Sequence, residues 1–441
     1  MSEKAEGLLT GIVTTDLAAV TRGRFVPTKH LEKISPYGVG WVPANISISA
    51  FDSIAIPNPW GSYGDLRLIP DTAARYRTIA TGSPTTFDMI MGDLVGLDGS
   101  VWPCCTRSLL RHTHAAFKEN TGLSVIAAFE QEFQIYRVDG SAEHSFSFAA
   151  LRQTEPFASR LMAALDEAGV EPEVVIAEFG KDQFEITCAP SEPVTAADRC
   201  VAIREIVREI CRTLGWRASF SPKTTPDGVG NGVHIHFSFR GGGDKPAMYD
   251  AGRPGGLTAE AASFCRGILE HLPALTALTT PSRPSFARLK PHMWSSSYTW
   301  LADRDREASL RICPIVTMAG RDVASQINVE YRPADAIANP YLALAAIIRA
   351  GWEGVKRSAP TPRLVSGDPS AMSVAQRAEL GLVRLPESFE DALEILSRDT
   401  EVLSWFHPSL IESYFGLKRV ELAALAGLDD AAVCERYRLA Y

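Results

Sequence analysis

Short stretches of alternating hydrophobic and polar residues fill the first part of the chain, and this period of two predicts β-strands. The stretches are LLTGIVTTDL, GRFVP, SYGDLRLIPD, YRTIATG and FDMIMGDLVG. Asp98-Gly99 follows the last of them and favours a hairpin turn. We predict a small β-rich domain over residues 1–105, packed closely on the rest because no long flexible linker follows it.

The pattern changes after residue 106, where stretches with helical periodicity alternate with apolar strands. Helices are predicted for SLLRHTHAAFKEN, for ASRLMAALDEAG up to Gly169, and for AADRCVAIREIVREICRTLG up to Gly215. Further helices are predicted over residues 259–272, 340–356 and 386–398, and strands over SVIAAFEQEFQIY, VVIAEFG, QFEITCAP, NGVHIHFSFR and residues 327–332. Residues 106–441 are therefore predicted to form a second, larger domain of mixed structure.

Composition narrows the class of protein. The chain has 441 residues, of which 46 % are hydrophobic, and no apolar run reaches the ~18–20 residues that span a bilayer. Lys and Arg number 44 against 52 Asp and Glu, a net charge of −8 that disfavours nucleic-acid binding. The N-terminus shows no secretion signal, and the eight cysteines form no CxxC motif. We expect a cytoplasmic protein with reduced thiols that binds neither nucleic acid nor membranes.

Four predicted strands each carry two polar residues separated by one position. Residues i and i+2 of a strand share a face and lie ~7 Å apart, so each pair points to one side of an otherwise apolar sheet. A buried carboxylate is costly unless it is paired with a cation or bound to a metal. One such pair fits a buried salt bridge, but four indicate a functional site, which Glu178 would join. The pairs are Glu130-x-Glu132, Gln183-x-Glu185, His234-x-His236 and Glu330-x-Arg332.

The ligand types in this set favour hard divalent cations. Carboxylate oxygens suit Mg²⁺ or Mn²⁺, whereas zinc sites favour His and Cys. So many ligands exceed what a single Mg²⁺ needs, so we expect two or three ions per site. Neighbouring divalent ions held by carboxylates are typical of phosphoryl transfer. The candidate metal ligands are Glu130, Glu132, Glu178, Glu185, His234 and Glu330.

Candidate anion-binding groups accompany these carboxylates. Arginine forks bind carboxylates and phosphates in a bidentate manner. The segment 226–232, PDGVGNG, precedes the His234 strand, and its glycines let backbone N–H groups approach a ligand. The segment matches neither a phosphate-binding P-loop nor a dinucleotide fingerprint. The candidate arginines are Arg288, Arg306, Arg311 and Arg332.

Together these motifs resemble the glutamine synthetase superfamily. The segments AAFEQEFQIY, EFGKDQFEI, GNGVHIHFS, DREASLR and NVEYRPADAIANPYLALAAII follow its order with similar spacing, and DLAAVTRGRFVP resembles part of its N-terminal domain. The resemblance implies an α+β fold, with a small N-terminal β-grasp domain and a large catalytic domain built on an antiparallel half-barrel sheet with surrounding helices. It also implies homo-oligomers of stacked rings, usually dodecamers.

The resemblance further implies ATP-dependent amide formation on the γ-carboxylate of L-glutamate through a γ-glutamyl phosphate. The residues that resemble ligands of the metal at the glutamate are Glu132, Glu178 and Glu185, and those at the ATP phosphates are Glu130, His234 and Glu330. The residues that resemble glutamate contacts are Gly230, Arg288 and Arg332. The residues that resemble nucleotide contacts are His236, Ser238 and Arg311, and Arg306 resembles the neutraliser of the transferred phosphoryl group. The expected catalytic residues are Arg306, Arg288 and Glu330.

Three departures from the family pattern concern the acceptor. The flap segment, residues 288–294, reads RLKPHMW, so Trp294 stands where glutamine synthetases carry a glutamate. The aspartate motif that binds ammonium is missing around Asp52, and no tyrosine occurs at residues 144–148. Tryptophan accepts no proton but supplies a large apolar wall. We therefore expect Trp294 to line the pocket of an organic amine larger than ammonia, with apolar alkylamines or arylamines such as aniline favoured.

Several alternatives stay open at the level of sequence. A γ-glutamylpolyamine synthetase would carry acidic residues at the acceptor pocket, and a divergent glutamine synthetase would still use ammonia. A catalytically dead relative would lack metal ligands, and a guanidino kinase would lack the HxH strand, so both fit less well. His292 is either a base for a charged amine or a solvated loop residue. Asn328 replaces a basic residue of the family pattern, a charge that Arg321 could supply, and His112 and His114 are assigned no role.

Overall fold

The computed structural model describes residues 8–137 and 143–441. The strands of its first sheet are β1 (Leu9–Thr15), β2 (Thr21–Pro27), β3 (Val39–Trp41), β4 (Leu66–Thr78) and β5 (Phe87–Val95). The strand order is β2-β1-β5-β4-β3, in which β1 and β5 are parallel and the other neighbours are antiparallel. A short helix, α1 (Leu31–Ile34), lies between β2 and β3.

The stretches SYGDLRLIPD and YRTIATG contribute to one strand, β4, so the prediction of two separate strands is wrong. β4 pairs with β5 along both of its halves, with a shift in register between Pro70 and Arg75. A bulge of this kind lets a strand bend and continue, and it takes up the residues that interrupt the alternation. β1, β2 and β5 form where the sequence predicts them.

The second sheet is larger and mainly antiparallel. Its strands are β6 (Ser124–Tyr136), β7 (Pro172–Ala177), β8 (Gln183–Cys188), β9 (Arg217–Ser219), β10 (Val233–Gly241), β11 (Lys245–Pro246), β12 (Leu301–Asp303), β13 (Leu310–Ile312) and β14 (Val329–Tyr331). The order is β12-β13-β14-β10-β6-β8-β7, with β9 paired to β6 and β11 to β10. β12 and β13 run parallel. A small N-terminal sheet followed by a large sheet with helices confirms the predicted α+β fold.

Helices surround the second sheet. They are α2 (Thr106–Thr121), α3 (Phe148–Arg152), α4 (Phe157–Glu167), α5 (Pro193–Thr213), α6 (Ala259–Thr279), α7 (Arg283–Arg288), α8 (Pro340–Lys356), α9 (Val374–Leu380), α10 (Phe389–Arg398), α11 (Thr400–Ser404), α12 (Pro408–Ala424) and α13 (Asp430–Ala440). α6 continues past its predicted end at Leu272 although Pro273 lies inside it. Residues 274–279 are all buried, so tertiary packing outweighs the backbone hydrogen bond that proline removes.

Alternation along β6 separates an apolar face from a polar one. The side chains at positions 125, 127, 129, 133 and 135 are apolar and buried in a core shared with α2, α5, α6 and α8. Glu130 and Glu132 therefore face the opposite side of the strand. The core holds the sheet from one side and leaves the other face for a site. In the described part of the chain, no helix is both long and apolar enough to cross a bilayer.

Arg107 at the start of α2 links the first sheet through ion pairs to helix α5, which packs against β6 of the second sheet. Its guanidinium donates to both carboxylate oxygens of Asp198 on α5, at 2.9 and 2.7 Å, and also bonds Asp93 on β5 and Asp71 on β4. The Tyr341 hydroxyl donates to Asp198 at 2.6 Å. Arg107 and Asp198 are both buried, which is tolerated because each charge has a partner. The two sheets are thus closely joined, while the boundary near residue 105 stays a prediction.

Arg107→Ala should lower the free energy of unfolding by about 3–5 kcal/mol, because Asp198 would stay buried without its cation. Arg111→Ala is the matched control, since Arg111 contacts Asp71 and Asp93 from a position that is 40 % exposed. It should cost about 1 kcal/mol or less. Chemical denaturation followed by tryptophan fluorescence measures both variants. Equal losses would contradict a buried link between the sheets.

Candidate active site

Strand register places the predicted polar pairs in one row across the second sheet. In an antiparallel ladder, directly opposed residues point to the same face. The polar side chains of five neighbouring strands therefore converge on the face that the core helices leave free. The opposed residues are Glu185 (β8) with Glu132 (β6), Glu130 (β6) with His234 (β10), and His236 (β10) with Glu330 (β14), which in turn lies opposite Arg311 (β13).

Three predicted ligands meet at His234. Its Nδ1 lies 2.8 Å from Glu130 Oε1 and 3.2 Å from Glu330 Oε1. His234 and Glu330 are buried, and Glu130 is half-buried. The structure thus brings together three residues that lie on three different strands, as the resemblance implies.

His236 joins the same cluster. Its Nε2 lies 3.5 Å from Glu130 Oε2, and its Nδ1 lies 2.9 Å from Asn328 Oδ1. Two sets of ligand atoms lie within 4.8 Å of one another, namely Glu130, His236 and Glu330, and Glu130, Glu185 and His234. His236 could therefore hold a metal as well as contact a nucleotide. The HxH spacing carried this signal, because it puts both imidazoles on one face.

Glu132, Glu178 and Glu185 form the acidic end of the row. The Gly232 N–H donates to Glu132 Oε2 at 2.7 Å, and the Phe179 N–H donates to Glu178 Oε2 at 3.2 Å. Burial and the neighbouring carboxylates raise the pKa of Glu185 to about 10. Burial raises the pKa of Glu132 to about 7. Burial also raises the pKa of Glu178. This end of the site holds more carboxylates than its own hydrogen bonds compensate.

The donor set fits divalent cations. A cation among the carboxylates would relieve both the burial and the repulsion that raise their pKa values. Each group of candidate ligands contains two carboxylates and one imidazole. A site in which carboxylates dominate is typical of Mg²⁺ or Mn²⁺.

Glu330 connects this cluster to two arginines. Arg311 Nη1 donates to Glu330 Oε2 at 2.9 Å, and Arg332 Nη1 donates to Oε1. Burial opposes ionisation of Glu330, yet His234 and Arg332 hold its pKa at about 2. The side chain therefore stays anionic at physiological pH, and both arginines are fixed beside the carboxylate row.

The glycine segment packs directly on Arg288. A Cβ at Gly230 would lie 2.5 Å from Arg288 Cγ, so only glycine fits there. Arg288 is buried, which lowers its pKa, and its Nη2 donates to the Ala334 carbonyl at 2.6 Å. Gln183 Nε2 donates to the Gly230 carbonyl at 2.8 Å and to Asn231 Oδ1 at 2.9 Å. The sequence analysis assigned no role to Gln183 or Asn231. The polar pair Gln183-x-Glu185 on β8 did indicate that Gln183 faces the site.

A cavity of about 240 Å³ lies beside the row. Glu130, His236, Ser238 and Asn328 are among its lining residues. Ser238 and His236 thus border one space, as nucleotide contacts would. Arg321 is exposed and does not line this cavity, whose wall at that point is the neutral Asn328.

Arg306 differs from the other arginines. It is exposed in the loop between β12 and β13, and its side chain makes no hydrogen bond or ion pair with residues 8–137 or 143–441. Its charge counteracts the burial that raises the pKa of Glu178, so it lies within electrostatic reach of the acidic end of the row. An arginine without a protein partner at this place is available to an anionic ligand.

Trp294 lies in the flap loop, residues 289–297, between α7 and β12. Its ring is 58 % exposed and meets Phe179 at a centroid distance of 6.1 Å. Phe179 in turn lies 6.4 Å from Phe146, and both phenyl rings are more than half exposed. We call these three rings the aromatic row. It borders Glu178, the residue before Phe179, and exposed apolar rings in contact indicate a binding surface.

The other acceptor candidates, His292 and Asp52, have partners outside the carboxylate row. His292 is 71 % exposed, and its Nε2 lies 3.3 Å from Ser370 Oγ and 3.5 Å from Asp368 Oδ2. These contacts fix the flap loop to a neighbouring loop and favour the interpretation of His292 as a solvated residue. Asp52 is 86 % exposed and lies 3.6 Å from Arg22.

Comparisons with known proteins agree with the geometry. A profile of the glutamine synthetase catalytic domain matches residues 103–437, and a profile of the glutamine synthetase N-terminal domain matches residues 3–102. The chain belongs to the glutamine synthetase family. This confirms the predicted family and makes the protein an ATP-dependent carbon–nitrogen ligase.

Individual relatives cover nearly the whole chain of this glutamine synthetase family member. It is 36 % identical over 436 residues to the γ-glutamylpolyamine synthetase of Streptomyces coelicolor, covering 97 % of this chain and 92 % of that protein. It is 28 % identical to a glutamine synthetase of Pyrococcus horikoshii, covering 93 % and 88 % of the two chains. A crystal structure described as a novel glutamine synthase homolog is 42 % identical, with a TM-score of 0.91 over 100 % of both chains.

Mn²⁺ should raise the midpoint of thermal unfolding, and more at pH 8 than at pH 6. The pKa values of Glu185 and Glu132 in the folded protein, about 10 and about 7, lie above that of an unfolded glutamate. Without metal, folding therefore becomes less favourable as pH rises through this range. A cation that needs ionised carboxylates offsets the loss and binds more tightly at the higher pH.

Scanning calorimetry or dye-based melting measures this difference. Glu185→Gln should shrink it, because one acidic ligand is lost. The control variant Glu209→Gln should keep it, since half-buried Glu209 pairs with Arg212 on its own helix, α5. An Mn²⁺ effect of equal size at both pH values would contradict the assignment.

Proposed function

We propose that the protein joins the γ-carboxylate of L-glutamate to a small organic amine. ATP phosphorylates the γ-carboxylate, and the amine displaces phosphate from the γ-glutamyl phosphate, so that ADP and phosphate are released. The observation that supports this acceptor is the aromatic row beside Glu178, whose Trp294 stands on the flap where glutamine synthetases carry a glutamate. Apolar alkylamines and arylamines such as aniline are the favoured acceptors.

The cavity next to His236 and Ser238 is the proposed site of ATP. Mg²⁺ or Mn²⁺, two or three ions per site, would neutralise charge on the transferred phosphoryl group. Arg311 is fixed by Glu330, which lies opposite the cavity-lining His236. Arg306, which pairs with none of the described residues, would contact the phosphoryl group. The proposed metal ligands are Glu130, Glu132, Glu178, Glu185, His234 and Glu330.

Glutamate is the proposed ligand of Arg288, Arg332 and the backbone at Gly230. Both guanidinium groups are buried, and a carboxylate is attracted more strongly where water is excluded. Arg332 is preoriented by Glu330 and by the Trp294 carbonyl, to which its Nη2 donates at 2.9 Å. This contact supports a glutamate site next to the flap that carries Trp294.

An arylamine fits the aromatic row for two physical reasons. Its ring would gain offset or edge contacts with Phe179 and Trp294 that ammonia lacks. An arylamine is also largely neutral near pH 7, so its nitrogen attacks without first losing a proton to a strong base. Both properties suit a flap that carries an indole in place of a carboxylate.

A γ-glutamylpolyamine synthetase is the second candidate, favoured by the 36 % identity to the Streptomyces coelicolor enzyme of that name. Aromatic rings also attract alkylammonium groups. A polyamine would in addition call for free carboxylates at the acceptor pocket. Glu307 lies beside the flap, but both of its oxygens accept backbone hydrogen bonds from it. A divergent glutamine synthetase that uses ammonia would have no use for the aromatic row.

We also propose a homo-oligomer of stacked rings, a dodecamer, that works in the cytoplasm without a nucleic-acid or membrane partner. Family membership supports the ring assembly. The net charge of −8 and the eight free, buried cysteines support the compartment and the absence of nucleic acid.

Glutamate-dependent phosphate release from ATP, with Mg²⁺ or Mn²⁺, should be greatest with an apolar or aromatic amine. The panel is ammonia, ethylamine, isopropylamine, putrescine, aniline and a substituted aniline, and mass spectrometry of the γ-glutamyl amide checks the product. Highest turnover with putrescine would favour the polyamine reaction. Highest turnover with ammonia would contradict the proposed acceptor class.

Changes in the aromatic row should move selectivity and leave phosphoryl transfer intact. Trp294→Glu should shift preference towards ammonia, because a carboxylate returns to the flap. Phe179→Ala should raise the KM for an aromatic amine about tenfold, through lost ring contacts and apolar burial. The control is Leu439→Ala, which shortens an exposed apolar side chain on α13. It should change neither the preference between amines nor the KM for an aromatic amine. Unchanged amine selectivity in Trp294→Glu would contradict the role of the wall.

A further inference from the structure

Glu307 ties the flap loop to the loop between β12 and β13. Its Oε1 accepts a hydrogen bond from the Trp294 N–H at 2.7 Å, and its Oε2 accepts one from the His292 N–H at 3.0 Å. Glu307 directly follows Arg306, the proposed contact of the transferred phosphoryl group. One side chain therefore joins the acceptor wall to the catalytic loop.

The two flap residues that Glu307 binds share an unusual backbone conformation. His292 has φ +65° and Trp294 has φ +51°, in the left-handed region that side-chain-bearing residues rarely adopt. Backbone N–H groups in such turns converge on one point and bind an anion. The Glu307 carboxylate supplies that anion from within the chain, so the shape of the flap depends on it.

Glu307 is itself held in place. Its own N–H donates to Asp305 Oδ1 at 2.9 Å, and its carbonyl accepts from Trp300 Nε1 at 3.2 Å. Burial raises its pKa, while the two flap N–H groups and His292 counteract this and favour the carboxylate. A preoriented acceptor of this kind loses little freedom when it binds the flap.

Trp294 is held at both of its backbone groups. Glu307 accepts from its N–H, and Arg332 Nη2 donates to its carbonyl at 2.9 Å. With both peptide groups fixed, the indole projects to Phe179, where it closes the aromatic row. Removal of Glu307 would leave the residue attached by its carbonyl alone.

We propose that Glu307 is the positioning residue of the acceptor wall. By fixing the backbone of Trp294 it holds the indole against Phe179, and it thereby sets the preference for bulky amines over ammonia and water. This inference rests on the proposed function, because it assigns the wall to the amine.

Three variants grade the interaction. Glu307→Gln keeps one carbonyl oxygen for the flap, Glu307→Asp is too short to reach both N–H groups, and Glu307→Ala removes both hydrogen bonds. The KM for the best amine should rise about tenfold in the alanine variant and about threefold in the glutamine variant. The KM values for ATP and glutamate should change less than twofold. Asp303→Asn is the matched control, because Asp303 is a carboxylate on β12 that pairs with the neighbouring Arg304.

A second kinetic readout is phosphate release without amine. A loosened wall admits water to the γ-glutamyl phosphate, so amine-independent release should rise in the same order as the KM. A role in recognising the charge of the amine would give a different pattern. With phenethylamine, which is cationic at pH 7, the KM would then rise as much in the glutamine variant as in the alanine variant. With neutral aniline the KM would not change in the glutamine variant. That pattern would overturn the positioning role.

A structural readout needs no turnover. Acrylamide quenching of Trp294, taken as the difference between each protein and its Trp294→Phe counterpart, should increase in Glu307→Gln and Glu307→Ala. Unchanged quenching in both variants would overturn the inference even if the wild type is active. If the wild type is inactive with the amines but quenching increases in the Glu307 variants, the proposed acceptor is contradicted. The conclusion that Glu307 fixes the flap would then still stand.

Discussion

Antiparallel register across β8, β6, β10 and β14 is the constraint on which the site depends. It brings carboxylates and imidazoles from four strands to one face while Phe129 and Phe133 of β6 pack into the core on the other. A slip of one residue would bury Glu130 and Glu132 among apolar side chains and turn the phenyl rings to water. Such a slip would cost free energy because it exposes the phenyl rings, and this cost fixes the register. The fixed register in turn holds the carboxylates close together, although no local interaction favours so much negative charge in one place.

The charges on this face also fix two arginines and part of the flap, in addition to the proposed metal ligands. Glu330 is anionic because two buried arginines and His234 surround it, and the same arginines are held there by Glu330. Arg332 also reaches the Trp294 carbonyl. The carboxylate row, the proposed glutamate site and the flap are therefore linked by consecutive hydrogen bonds, so that a change in one alters the placement of the others.

The parts of the structure that follow a local period are those that the sequence predicts. Residues at i and i+2 on β6, β8, β10 and β14 share a face by geometry alone, which is why the row of polar side chains could be anticipated. Which strands lie side by side is decided by long-range pairing, so the place of His236 next to Glu130 could not be read from spacing. β4 and α6 were misjudged because a bulge and a buried proline are tolerated only through tertiary packing. Glu307 was missed because the flap has no period, and no local pattern shows that its carboxylate meets two N–H groups of another loop.

The charge of the acceptor separates the candidate reactions more sharply than its size. Ammonia is almost entirely ammonium at neutral pH, and it needs a carboxylate both to bind and to take up its proton before the nitrogen can attack. A tryptophan on the flap removes that carboxylate, and both oxygens of Glu307, beside the flap, already accept hydrogen bonds from N–H groups of the flap. This arrangement disfavours the binding and the deprotonation of a cationic acceptor. On the proposed function, a neutral arylamine avoids this cost and gains the ring contacts of the aromatic row. The acceptor would then change at the flap while the carboxylates and arginines proposed for phosphoryl transfer stay as they are.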